Sequence, residues 1–233
     1  MPIQRVVLFD IDGTLVSTPV TERSEGRRYR EAIRDVVGKQ PYVVPSRFAG
    51  MVDPQICKIL LTELGLSDEE VNSFVPKVLT RMGELYRRME KRVALNRGVR
   101  ELLATLVASR THVAGVLTGN IKAVAEEKLT NTGIRIYFSE FFYADTYYDR
   151  TTLVANAVSA CKAKHELSAS ECVLIVGDTP RDIEAANACH ATSIGVASGV
   201  YSLAQLSDAR ATHVYTNLEP TKELLEGLGV TVT

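Results

Sequence analysis

Residues 6–9, Val-Val-Leu-Phe, are apolar at every position and rich in β-formers. That pattern predicts a strand covered on both faces, as in a parallel sheet. It recurs in Val113-Ala-Gly-Val-Leu117 and Cys172-Val-Leu-Ile-Val-Gly177, and in shorter form in Thr192-Ser-Ile-Gly-Val-Ala and Thr212-His-Val-Tyr. Between these runs the spacing turns helical, near residues 99–107, after Asn120 through Leu129, and across Ala185 to Ala188. Strands alternating with helices predict an α/β fold built on a parallel sheet. Residues 17–95 differ in texture. Ala32, Ile33, Val36 and Val37 form one helical stripe, Ile56, Ile59, Leu60 and Leu64 a second, and Phe74, Val78, Met82, Leu85 and Met89 a third. Such stripes predict helices packing on one another rather than on a sheet.

Three of the apolar runs end in polar residues suited to chemistry, and strand ends of a parallel sheet gather at one crevice. The first run leads into Asp10-Ile-Asp12-Gly13-Thr14-Leu15. Side chains two apart in an extended chain point the same way, so Asp10 and Asp12 are expected to converge before Gly13 turns the chain. A divalent cation, or a proton on one carboxyl, would relieve their repulsion. Asp, Gly and Thr are also ordinary turn residues. Against a plain turn stands the recurrence of the pattern in Gly177-Asp178-Thr-Pro180-Arg-Asp182. Pro180 suits a first helical turn, and Asp182 in the same turn would be favoured there by the helix dipole alone. Thr118, after the third run, stands where a hydroxyl can cap the following helix. The free N–H groups of such a helix start also suit an anion.

Taken together, Asp10-Ile-Asp12-Gly-Thr-Leu, Leu117-Thr118-Gly119-Asn120 and Gly177-Asp178-Thr-Pro-Arg-Asp182 resemble, in order and spacing, the first, second and fourth motifs of the haloacid dehalogenase superfamily, in its phosphatase branch. The resemblance covers nearly the whole chain. Residues 17–95 look like the cap inserted in phosphoglycolate-phosphatase-like members, and Phe48-Ala-Gly50-Met-Val-Asp53-Pro-Gln-Ile is similar to a stretch of those caps. It implies a three-layer Rossmann-like core of residues 1–16 and 96–233, with an inserted, smaller, all-helical cap domain of residues 17–95. It further implies hydrolysis of a small phosphate monoester through an aspartyl-phosphate. Asp10 would be the nucleophile and Asp12 the general acid and then base. Mg²⁺ would be held by Asp10, Asp178 and the main-chain carbonyl of Asp12, with Asp182 holding the metal shell or orienting a cation. Thr118, Gly119, Asn120 and that cation would bind the phosphoryl oxygens.

The chain departs from the family at the third motif, a lysine. After Phe141-Phe-Tyr-Ala-Asp145 it reads Thr-Tyr-Tyr-Asp149-Arg150. Arg150 is read as the replacement, since a guanidinium can hold a phosphoryl oxygen and a carboxylate together. Lys122 and Lys128 are its rivals. Arg47, Phe48 and Asp53 are specificity candidates near the cap loop, and an inward Arg47 would favour an acidic leaving group. Asp12 argues against dehalogenation, because dehalogenases of the superfamily lack that second aspartate. A sugar-phosphate mutase stays open, as does a phosphonatase, for which Lys58 is the candidate cap lysine. So does a non-catalytic phosphate-ligand-binding role.

Composition narrows the partners. The chain has 233 residues, is 45% hydrophobic and carries a formal net charge of −1. That length supports a main domain and a smaller one, and the charge excludes a global attraction to nucleic acid or an acidic membrane. Arg27, Arg28, Arg30, Arg34, Arg81, Arg87 and Arg88 lie among Glu31, Asp35 and Glu84, a mixture that suits solvated helix faces. No run is long enough to span a bilayer and the first apolar run is too short for a signal peptide, so a cytoplasmic monomer or homodimer is expected. Cys57, Cys161, Cys172 and Cys189 lack zinc-site spacing and are expected to be reduced and largely buried. His112, His165, His190 and His213 are scattered singly, which speaks against a histidine-centred mechanism.

Overall fold

The computed structural model describes residues 2–17, 26–88 and 93–230. β1 (Arg5–Phe9), β4 (His112–Leu117), β5 (Glu140–Phe142), β6 (Val173–Gly177), β7 (Thr192–Val196) and β8 (His213–Tyr215) form one parallel sheet in the order β5-β4-β1-β6-β7-β8. The unbroken apolar character of residues 6–9 follows from burial on both faces. Val7 and Phe9 pack with Leu102, Leu103 and Leu106 of α4 (Val99–Ala108) and with Ala125 and Leu129 of α5 (Lys122–Asn131). Val6 and Leu8 face the other way, onto Leu153, Val154 and Ala157 of α6 (Arg150–His165) and Ala185 and Ala186 of α7 (Pro180–Ala188). This alternation makes the three layers.

The sheet order places the chemistry. β1 lies between β4 and β6, with Phe9 in register with Val116 on one side and Val176 on the other. Asp10, Thr118 and Asp178 therefore leave neighbouring strands at one edge, where the chain order reverses and a crevice opens.

The stripes of residues 26–88 lie on α1 (Arg27–Val37), α2 (Asp53–Glu63) and α3 (Asp68–Arg88). Ala32, Ile33, Ile56, Leu60, Val78 and Met82 are buried in a core of their own, with Val36, Val37, Ile59, Leu64, Phe74 and Leu85 packed on its margin. Met89 lies outside the described residues. Ile121 and Val124 also belong to this cluster, so the helical body packs on the sheet domain through α5. Three short elements escape the sequence pattern: β5, and the antiparallel pair β2 (Val16–Ser17) and β3 (Ala94–Leu95). Two further helices, α8 (Leu203–Asp208) and α9 (Lys222–Leu228), follow β7 and β8. All four cysteines are free, but only Cys57 and Cys161 are buried, while Cys172 and Cys189 are half-buried. Among the described residues no helix is long and apolar enough to cross a membrane.

Candidate active site

Asp10 follows β1, Asp178 follows β6, and Asp182 lies in the first turn of α7. One carboxylate oxygen from each lies within 4.8 Å of the others, and all three residues are buried. Local structure explains Asp182. Thr179 starts α7, and its hydroxyl (2.7 Å) and N–H (3.1 Å) both donate to Asp182 Oδ2, closing a capping box ahead of Pro180. The other oxygen is left for the cluster. Helix start and site thus use different oxygens of one carboxylate. Gly13, at φ +79°, lets the turn after β1 run close to Asp178, since a Cβ there would stand 2.1 Å from Asp178 Oδ2.

Arg150 opens α6 and enters this cluster. Its Nη2 lies 2.5 Å from Asp182 Oδ1 and 3.3 Å from Asp10 Oδ1. Neither of those two buried oxygens is hydrogen-bonded. One guanidinium does not offset three carboxylates. Burial, with repulsion from Asp182 and Asp12 and against the attraction of Arg150, pushes the Asp10 carboxyl up to about 6. Burial, reinforced by Asp182 and Asp10, holds Asp178 well above the usual carboxylate range. An all-oxygen donor set with excess negative charge, three buried carboxylates against the one Arg150 guanidinium, fits a hard divalent cation.

A pH effect on stability follows for the metal-free protein. Folded Asp10 keeps its proton to about 6, whereas the unfolded group loses it near 3.8. Between these values the native state binds more protons, so stability falls as pH rises through that window. Carboxyls such as Asp12 shift the other way, so the informative quantity is the difference between Asp10→Asn and wild type. In chelator, denaturant unfolding is expected to show the variant gaining on the order of 1–3 kcal/mol over wild type between about pH 4 and pH 7. A difference that stays flat would contradict the electrostatics described.

Asp12 does not share that cluster. β1 ends at Phe9 and the chain turns at Ile11, so the two-residue alternation of an extended strand stops short of Asp12. Asp10 and Asp12 are near enough for Asp12 to raise the proton affinity of Asp10, but each faces its own cation. Lys128 Nζ lies 2.6 Å from Asp12 Oδ1 and 2.5 Å from Oδ2. Asn120 Nδ2 donates to Asp12 Oδ2 at 2.7 Å and to Thr118 Oγ1 at 2.9 Å. Asn120 Oδ1 accepts from Lys128 (3.1 Å) and from Arg28 Nη1 (2.8 Å). Burial opposes ionisation of Asp12, but Lys128 and Arg28 outweigh it and hold the carboxyl below its usual value.

Thr118 is buried beside this group but does not cap α5. The helix begins at Lys122, four residues on, and the Thr118 hydroxyl instead accepts from the Asn120 N–H at 3.2 Å. The orphan donors at the helix start go elsewhere: the Ile121 N–H to Asp53 Oδ2 (2.9 Å) and the Lys122 N–H to Asp145 Oδ2 (2.9 Å). Of the three rival cations, Arg150 reaches Asp10, Lys128 reaches Asp12, and Lys122 is exposed.

The helical body closes over these residues. Asp53 is buried, and its Oδ1 accepts from Tyr29 Oη (2.5 Å) and Arg28 Nη2 (3.0 Å). Its N–H donates to the Gly119 carbonyl at 2.7 Å. Gly119 must lack a side chain here, because a Cβ would stand 2.5 Å from the Met51 carbonyl oxygen. Arg47, by contrast, pairs with Glu63 at 2.6 Å on the surface, its side chain 53% exposed and its guanidinium over the Phe48 ring. Phe48 is buried in the core of the helical body, and Lys58 is exposed on α2. Arg28 and Tyr29 were not singled out as site residues from the sequence, because an arginine-rich helix of mixed charge looks solvated. The signal for Lys128 was its place on the buried stripe of α5, beside Val124, Ala125 and Leu129.

Known proteins agree with this architecture. No curated protein sequence matches the chain. Among solved structures, a hydrolase from Pseudomonas syringae superposes with a TM-score of 0.71 at 23% identity, covering 98% of this chain and 100% of its own. A predicted phosphatase from Clostridium acetobutylicum gives 0.68 at 19% identity, covering 96% of this chain and 99% of its own. A predicted phosphoglycolate phosphatase from Haemophilus somnus 129pt gives 0.66 at 19% identity, covering 93% and 95%. At these identities the likeness establishes the fold. The family model for haloacid dehalogenase-like hydrolases matches residues 7–196, from within β1 to the end of β7 and through all the strand ends described above, and the chain belongs to that family of hydrolases.

Proposed function

We propose that the protein is a Mg²⁺-dependent phosphatase that hydrolyses a small phosphate monoester through an aspartyl-phosphate on Asp10. The observation that carries this reading is the division of labour among carboxylates at neighbouring strand ends. Asp10 stands with Asp178 and Asp182 beneath Arg150, while Asp12, two residues on, is held apart by its own cation. Residues 17–95 act as the cap domain on a core of residues 1–16 and 96–233. The enzyme works in the cytoplasm as a monomer or homodimer.

In the first step an Asp10 carboxylate oxygen attacks phosphorus, the bond from phosphorus to the ester oxygen breaks, and Asp12, which takes up a proton together with the anionic substrate, gives that proton to the departing oxygen. In the second, water attacks the phosphoaspartate, Asp12 takes a proton from it, and Asp10 is regenerated with release of inorganic phosphate. Thr118, the Gly119–Asn120 segment and Arg150 bind the phosphoryl oxygens, where preorganised donors act on charge as it develops. Asp10, Asp178 and Asp182, with the main-chain carbonyl of Asp12, would hold Mg²⁺. When bound, that ion supplies positive charge to the phosphoryl group and offsets the crowded carboxylates. The cap keeps bulk water from the intermediate. Arg47, in its ion pair with Glu63, is the remaining candidate for contact with the leaving group.

The test is phosphate release from a panel of phosphoglycolate, sugar phosphates and nucleoside monophosphates, with Mg²⁺ and with chelator. Metal-dependent release that Asp10→Asn lacks is the expected result. Release that persists in chelator, or in the variant, would overturn the reading.

A further inference from the structure

We propose that Lys128 and Asn120 are positioning residues for the proton-transferring carboxylate of Asp12, and that Arg28 makes their arrangement depend on the seated cap. The proposal rests on the phosphatase reading above. Asn120 has only one consistent orientation in its site. Its Nδ2 faces two acceptors, Asp12 Oδ2 and Thr118 Oγ1, and its Oδ1 faces two cations, Lys128 and Arg28. Lys128 spans both oxygens of Asp12. The exposures separate the roles: the Asp12 side chain is 32% exposed and that of Lys128 only 5%. Asp12 keeps an open side for a substrate oxygen, whereas Lys128 acts through Asp12.

The cap supplies the rest of the arrangement, one contact from each of its three described α-helices. From α1, Arg28 donates to Asn120. From α2, Asp53 anchors Arg28 and takes the Ile121 N–H of the core. From α3, the Tyr86 ring lies 5.7 Å from Lys128 Nζ and covers it. With the cap displaced, Lys128 would meet water and Asn120 would lose its Arg28 contact, so Asp12 would be free to rotate. Displacing a proton-transfer group by about 1 Å costs roughly 10²-fold in rate. Proton delivery to the leaving oxygen is thereby tied to the closed state, in which water is shut out.

Leaving-group dependence tests this. Ethyl phosphate needs its departing oxygen protonated, whereas p-nitrophenyl phosphate loses a stable anion without help. Because Asp12 is also the base of the second step, which both esters share, the comparison is made in the first turnover: Lys128→Met is expected to slow ethanol release about 10²-fold while changing p-nitrophenolate release less than about 5-fold. Arg28→Gln should act in the same direction, about 10-fold on ethyl phosphate. Retained first-turnover release of p-nitrophenolate also shows that each variant is folded, and Arg28→Gln, on the cap, carries the test if Lys128→Met does not fold. Equal losses of first-turnover release on both esters, or losses confined to substrate binding, would overturn the proposal and leave the phosphatase reading standing. Wild-type protein inactive on both esters would overturn both.

Discussion

Asp10→Asn lowers phosphate release by at least ~10⁴, the scale seen when a nucleophile is removed from a unit that acts together, and leaves a protein that is more stable, not less, when no metal is present. The two effects have one origin. Asp10 is buried among like charges with an oxygen that no hydrogen bond satisfies. Burial raises its proton affinity, and the charge that makes it a nucleophile is what the fold resists. The amide keeps the shape, removes the charge and relieves the repulsion on Asp178 and Asp182, but has no anionic oxygen to attack phosphorus. Phosphate release and thermal unfolding in chelator measure the two halves separately. A variant that loses activity and also unfolds at lower temperature would mean that Asp10 serves the structure. A folded variant that retains turnover would remove Asp10 from the chemistry.

That opposition between stability and function was only partly legible in the sequence. The strands of the central sheet could be read because burial on both faces leaves no room for polar positions, as in residues 6–9 and 173–176. The helices of residues 26–88 could be read because each turns one stripe toward a common core. β2 and β3, two residues each, are too short to carry a period, and the three-residue edge strand β5 places a polar Glu140 in a buried position. At the site, Asp10, Asp178 and Asp182 were marked by apolar runs ending in acid. The expectation for Thr118 failed because the loop 119–121 intervenes before α5, and the donor at that helix start is met by Asp53, far away in the chain. Nothing local in the sequence pairs Asp12 with Lys128, 116 residues on. Such pairs arise from the way the helical body and α5 meet over the sheet, which periodicity does not encode.

Arg150→Ala is the second large effect, and it separates the third-motif cation from its rivals. Arg150 is the only cation among the described residues paired with Asp10 or Asp182. Its loss removes a donor aimed at developing phosphoryl charge, worth roughly 10²–10³ in kcat. It also leaves buried carboxylates without their counter-charge, a defect of about 3–5 kcal/mol when a buried pair is broken. These losses respond differently to metal. A divalent cation bound by Asp10, Asp178 and Asp182 replaces the missing positive charge, so added Mg²⁺ should recover much of the stability of Arg150→Ala. It should recover little of kcat, because the lost guanidinium donor stood at another position. Arg150→Lys should keep the charge but reach one carboxylate at a time, with activity between alanine and wild type. Thermal unfolding with and without Mg²⁺, beside kcat on an aryl ester, gives the full comparison. If Arg150→Ala keeps its kcat on that ester while Lys128→Ala abolishes it, the phosphate-binding cation is Lys128, and the contact of Lys128 with Asp12 belongs to substrate binding rather than to proton transfer.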